Sequence, residues 1–327
     1  MPTFRSLVPA LIYALSVMLA VVVPAGAQDF PNRAIRIIVP FPAGGPTDIL
    51  SRIVAQKMSE SFGQPVVVEN RPGADTAIGA TQVARAAPDG YTVLAAMDTT
   101  LVLNPATKAS LPYDPFKDFS AISLAAKNTS LLTVRAEDGP KTIPELIALG
   151  KAKGGAMNYG AGIITTRLAG YLFNREAGIS AQLIPYKGSA EVVQGLLTGA
   201  VDYIVDGTAS SLPLITSGKF RALAKLNNRP LPALPNVPSL AVAAGMPALD
   251  DMSSWIAFVA PAGTPRAVID RLQAEVAKAY ADPATAEKLE RAGINAVSST
   301  PQEFDVFFRE EAVRWDKAFR ESGIKLD

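Results

Sequence analysis

From residue 35 onward, apolar runs alternate with stretches whose apolar residues recur every three or four positions. Ile35–Val39 has the composition of a strand buried on both faces. Ile49, Ile53, Val54 and Met58 then recur at helical spacing. Pro65–Glu69, with three successive valines, reads as a second strand. Ile78, Val83 and Ala84 suggest a helix, and Tyr91–Ala95 a third strand. This βαβαβ order predicts a parallel sheet with helices on its faces.

A second series begins near Leu131. Leu131–Val134 reads as a strand, and Ile143–Ala152 as a helix with Pro144 in its first turn. Met157–Tyr159 is a short strand, followed by a helix to Ala177 that Thr165 or Thr166 is placed to cap. Leu183–Pro185, Val201–Val205 and Ala222–Lys225 read as strands, separated by helices over Ser189–Thr198 and about Ser211–Ser217. Asn227–Pro238, rich in Pro and Asn, reads as a surface connection. Trp255–Ala260 is a further strand, and Pro261–Pro265 leads into a helix from Arg266 to Ala281. In the last helical stretch, Pro301–Ser322, the residues Phe304, Phe307, Phe308, Trp315 and Phe319 form one apolar stripe, expected to pack into the core.

Two βαβ series predict two α/β lobes. If the terminal segment returns to the first lobe, two strands cross between them, placed near Ala121–Ala126 and Ser253–Phe258, and act as a hinge for a central cleft. The expected division is residues 28–125 with 254–327 for one lobe and 126–253 for the other.

Residues 1–27 stand apart. Arg5 supplies a short positive start, Leu7–Val23 is apolar, and Ala25-Gly26-Ala27 has the small-x-small form of a cleavage site. The segment reads as a secretory signal peptide, which makes the mature protein an exported one. Arg5 is its only charged residue, so its removal takes the formal net charge from +1 to 0. A balanced chain has no global field to gather nucleic acid or acidic lipid, and any recognition of charge must be local. The chain of 327 residues has neither Cys nor His. Disulfides are excluded, and so are the commonest general base and transition-metal ligand. There is no Gly-x-Ser-x-Gly, no Cys-x-x-Cys and no dinucleotide fingerprint, so no catalytic residue, metal or cofactor is expected.

Candidate chemistry lies where strands give way to helices. Phe41, Ala43, Gly44, Gly45, Thr47 and Asp48 occupy the first such turn. Strand, glycines and helix start together present free backbone N–H groups and the positive end of a helix dipole, a setting for a carboxylate. A nucleotide-binding loop would carry a Lys here, and this one does not. Asp48 either complements the dipole or accepts from a ligand amine. Tyr159, Gly160, Ala161 and Gly162, with Thr165, Thr166 and Arg167, repeat the design in the second lobe. If the lobes face each other, two helix N-termini point into one cleft, which suits a molecule with a carboxylate at each end. Arg167 is placed to add a charge-assisted contact. Lys187 precedes a third helix start, Asp206 ends a strand, and Thr76 and Thr99 follow strand ends of the first lobe. All four are candidate wall residues.

The ordered segments Ile37–Asp48, Val67–Ala74, Ala87–Thr92, Leu111–Pro115 with Lys117-Asp118-Phe119, Pro185–Ser189 and Ala260–Pro265 resemble the Bug-type solute receptors. These are the extracytoplasmic binding proteins of tripartite tricarboxylate transporters, and the likeness covers nearly all of the mature length. The resemblance implies a type II periplasmic binding fold, α/β, with two lobes, a hinge and a central cleft. It implies capture of a small di-, tri- or aromatic carboxylate, delivery to membrane permease subunits, and a monomer. In such receptors the loops matching Phe41–Asp48 and Tyr159–Arg167 grip carboxylates from opposite lobes, partly through waters. Two departures stand out. Ile163-Ile164 replace small polar residues, with Arg167-Leu168 where the family has His-Leu, and Asp75-Thr76-Ala77 stands where Gly-Asn is common. They suggest a ligand with an apolar or aromatic body. A ligand-presenting sensory receptor and a secreted enzyme on the same scaffold are the alternatives.

Overall fold

The computed structural model describes residues 30–249 and 252–322; the leader expected at 1–27 lies outside them. The elements run β1 (Ile35–Val39), α1 (Pro46–Phe62), β2 (Val66–Asn70), α2 (Ala77–Ala84), β3 (Thr92–Met97), a π-helical turn (Thr99–Leu103), α3 (Asn104–Thr107) and β4 (Phe119–Asn128). Next come β5 (Ser130–Arg135), α4 (Ile143–Ala152), β6 (Met157–Ala161), α5 (Ile164–Ala177), β7 (Ala181–Pro185), α6 (Ser189–Leu197), β8 (Tyr203–Gly207), α7 (Thr208–Thr216) and β9 (Phe220–Lys225). The chain closes with α8 (Leu240–Ala244), β10 (Ser254–Pro261), α9 (Arg266–Ala281), α10 (Pro283–Arg291) and α11 (Pro301–Ser322).

These elements form two five-stranded sheets, ordered β2-β1-β3-β10-β4 and β7-β6-β8-β5-β9. The βαβ units are parallel as expected: β1 pairs with β2 and β3, and β6 with β7 and β8. The sheets are nevertheless mixed, because β10 runs antiparallel to β3 and β4, and β5 antiparallel to β8 and β9. The reason is the path of the chain. A strand that enters a sheet from the other lobe arrives at the end where the βαβ strands leave it.

Ala121–Ala126 lies inside β4, and Ser254–Phe258 is the start of β10, both in the first sheet. The chain changes sheet at Thr129, and again between Lys225 and Ser254. These two passages are tied together. The buried Asn227 Nδ2 donates to Thr129 Oγ1 at 3.1 Å and to Ser253 Oγ at 2.8 Å. The Thr129 carbonyl in turn accepts from the N–H and hydroxyl of Thr208.

One buried cluster runs through both lobes, joining Leu94 and Trp255 to Leu132, Met157 and Tyr203. In the first sheet, Ile35, Ile37 and Val39 share a buried cluster with Leu50 and Val54 of α1 and Leu272 and Val276 of α9. The stripe on α11 is buried as expected through Phe304, Phe308, Trp315 and Phe319. It is held at a fixed height by Glu311, whose carboxylate accepts from the indole N–H groups of both Trp255 and Trp315. Burying two aromatic N–H groups against one carboxylate satisfies donors that would otherwise be lost to water.

Candidate functional site

The turn from β1 to α1 is built by Asp48. Its carboxylate accepts from the Gly44 N–H at 3.0 Å, Arg52 Nε at 3.0 Å and Asn70 Nδ2 at 2.9 Å, while Asn70 also donates to the Phe41 carbonyl. Burial pushes the Asp48 pKa up, but the bonds from Arg52, Gly44 and Asn70 outweigh it and hold the carboxyl below its usual value. Gly44 has φ +89°, a conformation that L side chains rarely adopt. Gly45 then serves as the helix N-cap with no side chain bonded across the helix start, and Pro46 occupies the first turn.

Three other helices begin beside it, with Thr166 bonded back to Ile163 at the start of α5 and the Thr208 N–H of α7 given to the Thr129 carbonyl. The N-cap residues of α5, α6 and α7 are Ile163, Gly188 and Gly207. All four N-caps, Gly45 included, line one small cavity of about 30 Å³ between the lobes. The lobes touch around it: a side-chain atom added at Gly188 would meet Pro42 at 3.3 Å, and one at Gly207 would meet Pro46 at 3.5 Å. A helix start exposes unsatisfied N–H groups and a partial positive charge. Four converging on one space make it strongly receptive to an anion.

The floor of this cavity also holds an acid. Asp206 Oδ1 accepts from Ser189 Oγ at 2.8 Å, while Oδ2 is buried without a partner. Burial pushes the Asp206 carboxyl up to about 6 against the opposing hydrogen bonds.

Phe41, Pro42 and Ile163 separate the cavity from a larger cleft of about 600 Å³. Its walls are apolar at Pro40, Pro72, Pro185 and Tyr186, and cationic at Arg167 and Lys187. Arg167 is largely buried and donates to the carbonyls of Gly162 at 3.1 Å and Tyr186 at 3.2 Å. It faces Asp75 of the opposite lobe at 3.6 Å, and Asp75 also pairs with Lys108 at 2.8 Å. Asp75 is held there by a left-handed run: Gly73, Ala74, Asp75 and Thr76 all have positive φ. Three consecutive non-glycine residues in that region carry backbone strain at the cleft mouth. A second bond joins the lobes, from the Thr165 hydroxyl to Asp98 Oδ2 at 2.6 Å.

The comparisons with known proteins agree with this geometry. The model of the "Tripartite tricarboxylate transporter family receptor" matches residues 50–324. The chain belongs to this receptor family. A relative from Pseudomonas sp. (strain P51), the "UPF0065 protein in tcbD-tcbE intergenic region", is 38% identical over 300 residues, covering 91% of this chain and 89% of its own length. Among solved structures, "R. palustris Rpa4515 with adipate" has a TM-score of 0.86 at 31% identity, covering 90% of this chain and 99% of that one. "MatC (Rpa3494) from Rhodopseudomonas palustris with bound malate" has a TM-score of 0.81 at 30% identity, covering 88% and 99%. The receptor thus has the two-lobe fold of periplasmic solute-binding proteins, and its family is one of receptors, not enzymes.

The receptor's structure sorts the residues expected to touch ligand. Phe41, Gly45, Thr47, Thr166 and Asp206 line the small cavity, and Thr76, Thr99, Gly162, Arg167 and Lys187 line the cleft. Others stand off both walls. Ala43 and Gly44 are on the exposed outside of the turn, and the Gly44 N–H is taken by Asp48. Asp48 is spent on the turn itself. Tyr159 is buried, stacked on Tyr203, with its hydroxyl donating to the Arg167 carbonyl. Gly160 and Ala161 are internal to β6, where a side chain at Gly160 would strike Tyr186 at 3.0 Å. Thr165 is turned to Asp98. Asp48, Tyr159 and Thr165 are thus buried behind the backbone that their turns present, whereas Ala43 and Gly44 lie on its outer side.

Wall residues that the sequence reading did not single out are Ser130 and Ser254; Asp75 entered it only as a departure from the family pattern, and Tyr186 and Ser189 only within the segment Pro185–Ser189. Ser189 carried a readable signal, as the residue after a glycine at a helix start. Among the described residues no cluster of His, Cys, Asp or Glu is able to hold a metal ion, and no helix is long and apolar enough to cross a membrane.

Proposed function

We propose that this protein is a periplasmic receptor that captures a small organic carboxylate between its lobes and delivers it to the membrane subunits of a tripartite transporter. The observation that carries the reading is the convergence of four helix N-caps on one interlobe cavity, beside a cleft bearing Arg167 and Lys187. The amides take a carboxylate, Arg167 or Lys187 balances a second charge, and the proline-rich walls suit an apolar body between them. The adipate and malate bound by solved relatives support the ligand class.

The moving bodies in this reading are residues 28–125 with 254–327, and residues 126–253; the change of sheet at Thr129 supports carrying the first limit to that residue. Export through a cleaved leader at 1–27 and action as a monomer belong to the same proposal. A thermal-shift screen against mono-, di-, tri- and aromatic carboxylates tests it, because a ligand that binds only the native state raises the melting temperature. A rise of several degrees with at least one carboxylate is expected. No shift with any carboxylate, alongside one with sugars or neutral amides, would refute carboxylate capture.

A further inference from the structure

The carboxylate on the floor of the small cavity is answered only in part: Ser189, the Gly207 N–H and Ser210 support it, yet one oxygen keeps no close partner. Asp206 Oδ2 is buried and unpartnered, and so is the hydroxyl oxygen of Ser130 on the wall of the same cavity. Ser130 and Asp206 come from neighbouring strands, β5 and β8, whose ladder pairs Ser130 with Gly207 and Leu131 with Asp206. A buried polar group left without a partner is destabilising, and more so when it carries charge. The site is therefore completed by something that brings a hydrogen-bond donor.

Size and charge narrow what that is. The cavity of about 30 Å³ takes roughly two to three water-sized groups, enough for a hydroxyl or ammonium beside carboxylate oxygens, whereas the adjoining cleft of about 600 Å³ takes the body of a ligand. A carboxylate pushed against Asp206 would meet a like charge. A hydroxyl or an ammonium group meets an acceptor in Asp206 and a hydroxyl able to accept in Ser130. The amides of Gly45, Gly188 and Ser189, close by on the same walls, remain for a carboxylate carried on the next carbon.

We propose that Asp206 and Ser130 form a donor-selecting subsite, so that the preferred ligand is a carboxylic acid bearing a hydroxyl or amino group next to its carboxylate. This rests on the carboxylate-receptor reading above and sharpens it to a ligand class.

The experiment is calorimetric titration at pH 8 with two series that differ only at that carbon. One is succinate, malate and aspartate; the other is 3-phenylpropanoate, phenyllactate and phenylalanine. The carboxylate screen runs in parallel. In a series that binds, the hydroxyl or amino member is expected at least tenfold tighter than its unsubstituted parent. Which of the two leads identifies the donor. In Asp206→Asn, which replaces a purely accepting group by an amide, the advantage falls below threefold. Ser130→Ala, which deletes only a hydroxyl, narrows the same ratio by threefold or more and keeps the test open if the Asn variant does not fold. Tightest binding by an acid with neither group, or an unchanged ratio in both variants, overturns the subsite while leaving carboxylate capture standing. Binding of no carboxylate at all overturns both.

Discussion

Asp98 directly follows β3 in one lobe and reaches Thr165 on α5 in the other, with no exposure to solvent. Burial raises its pKa from 3.8 to about 7, against hydrogen bonds from Thr165 and the Thr99 N–H; the charge of Glu311 adds to the rise and that of Arg314 opposes it. Below the ordinary value both folded and unfolded chains hold the proton, and the site costs nothing. As pH rises above 3.8 the unfolded chain gives up its proton while the native one keeps it, so stability falls by about 1.4 kcal/mol per pH unit. The fall ends near pH 7, where the native carboxyl ionises too, at a total on the order of 4 kcal/mol. Asp98→Asn is neutral throughout and keeps a carbonyl for the Thr165 hydroxyl. Its stability relative to the parent is therefore expected to improve by about 3 kcal/mol between pH 5 and pH 8. At roughly 2 °C per kcal/mol for a chain of this size, that is a widening of about 6 °C in melting temperature. Calorimetric melts of both proteins at pH 5, 6, 7 and 8 measure it. A difference that stays constant with pH, or a variant that loses ground at pH 8, would refute the argument.

Three further outcomes follow from the site. Gly45→Val is expected to fold, because its backbone has φ −85° and ψ 169° and nothing lies within 4 Å of an added side-chain atom. It should fail to bind any ligand of the parent, and parental affinity in a folded variant would contradict the helix-start site. Arg167→Ala should lose about 1.5–3 kcal/mol of binding for a ligand with two carboxylates, the usual worth of a charged hydrogen bond; an unchanged dissociation constant would mean that Asp75 and the two carbonyls occupy the guanidinium fully. Asp48→Ala strips the turn of its shared acceptor and should cost about 2–4 kcal/mol in urea melts at pH 7. Because the Asp48 pKa is held below 3.8, its contribution is present above that value and disappears as acid protonates the group, so the two proteins should converge at low pH.

Periodicity alone located most of the secondary structure. Ile35–Val39, Met157–Tyr159 and the stripe from Phe304 to Phe319 were readable because strand and helix periods are properties of a local segment. Strand direction is not local. Nothing in Leu131–Val134 or Trp255–Ala260 says that these runs enter their sheets against the βαβ strands, because that depends on where the chain crosses between lobes. The π-helical turn at Thr99–Leu103 and the short helix α8 lack any such signal. The sequence reading passed over α10, whose segment is too polar for a periodic stripe; its N-cap Asp282, accepting from the Thr285 N–H, is seen in the structure. The same division runs through the site. Glycines before helix starts marked the turns, since free N–H groups are a local feature. Which side chain stands on the wall was not legible: Tyr159 faces inward because β6 lies beside β8, and Asp75 reaches Arg167 only through a run of left-handed backbone.

The side-chain amide of Asn227 grips both segments that pass from one lobe to the other. Neither segment is free to swivel without dragging its companion, so independent torsion of the two is suppressed. For the two-body motion proposed above, this tie favours rotation about a single line through Thr129 and Ser253, in the manner of a nutcracker rather than a ball joint. Opposite jaws guided in that way return to one alignment on every closure, bringing the helix starts of the two halves back into the same register each time.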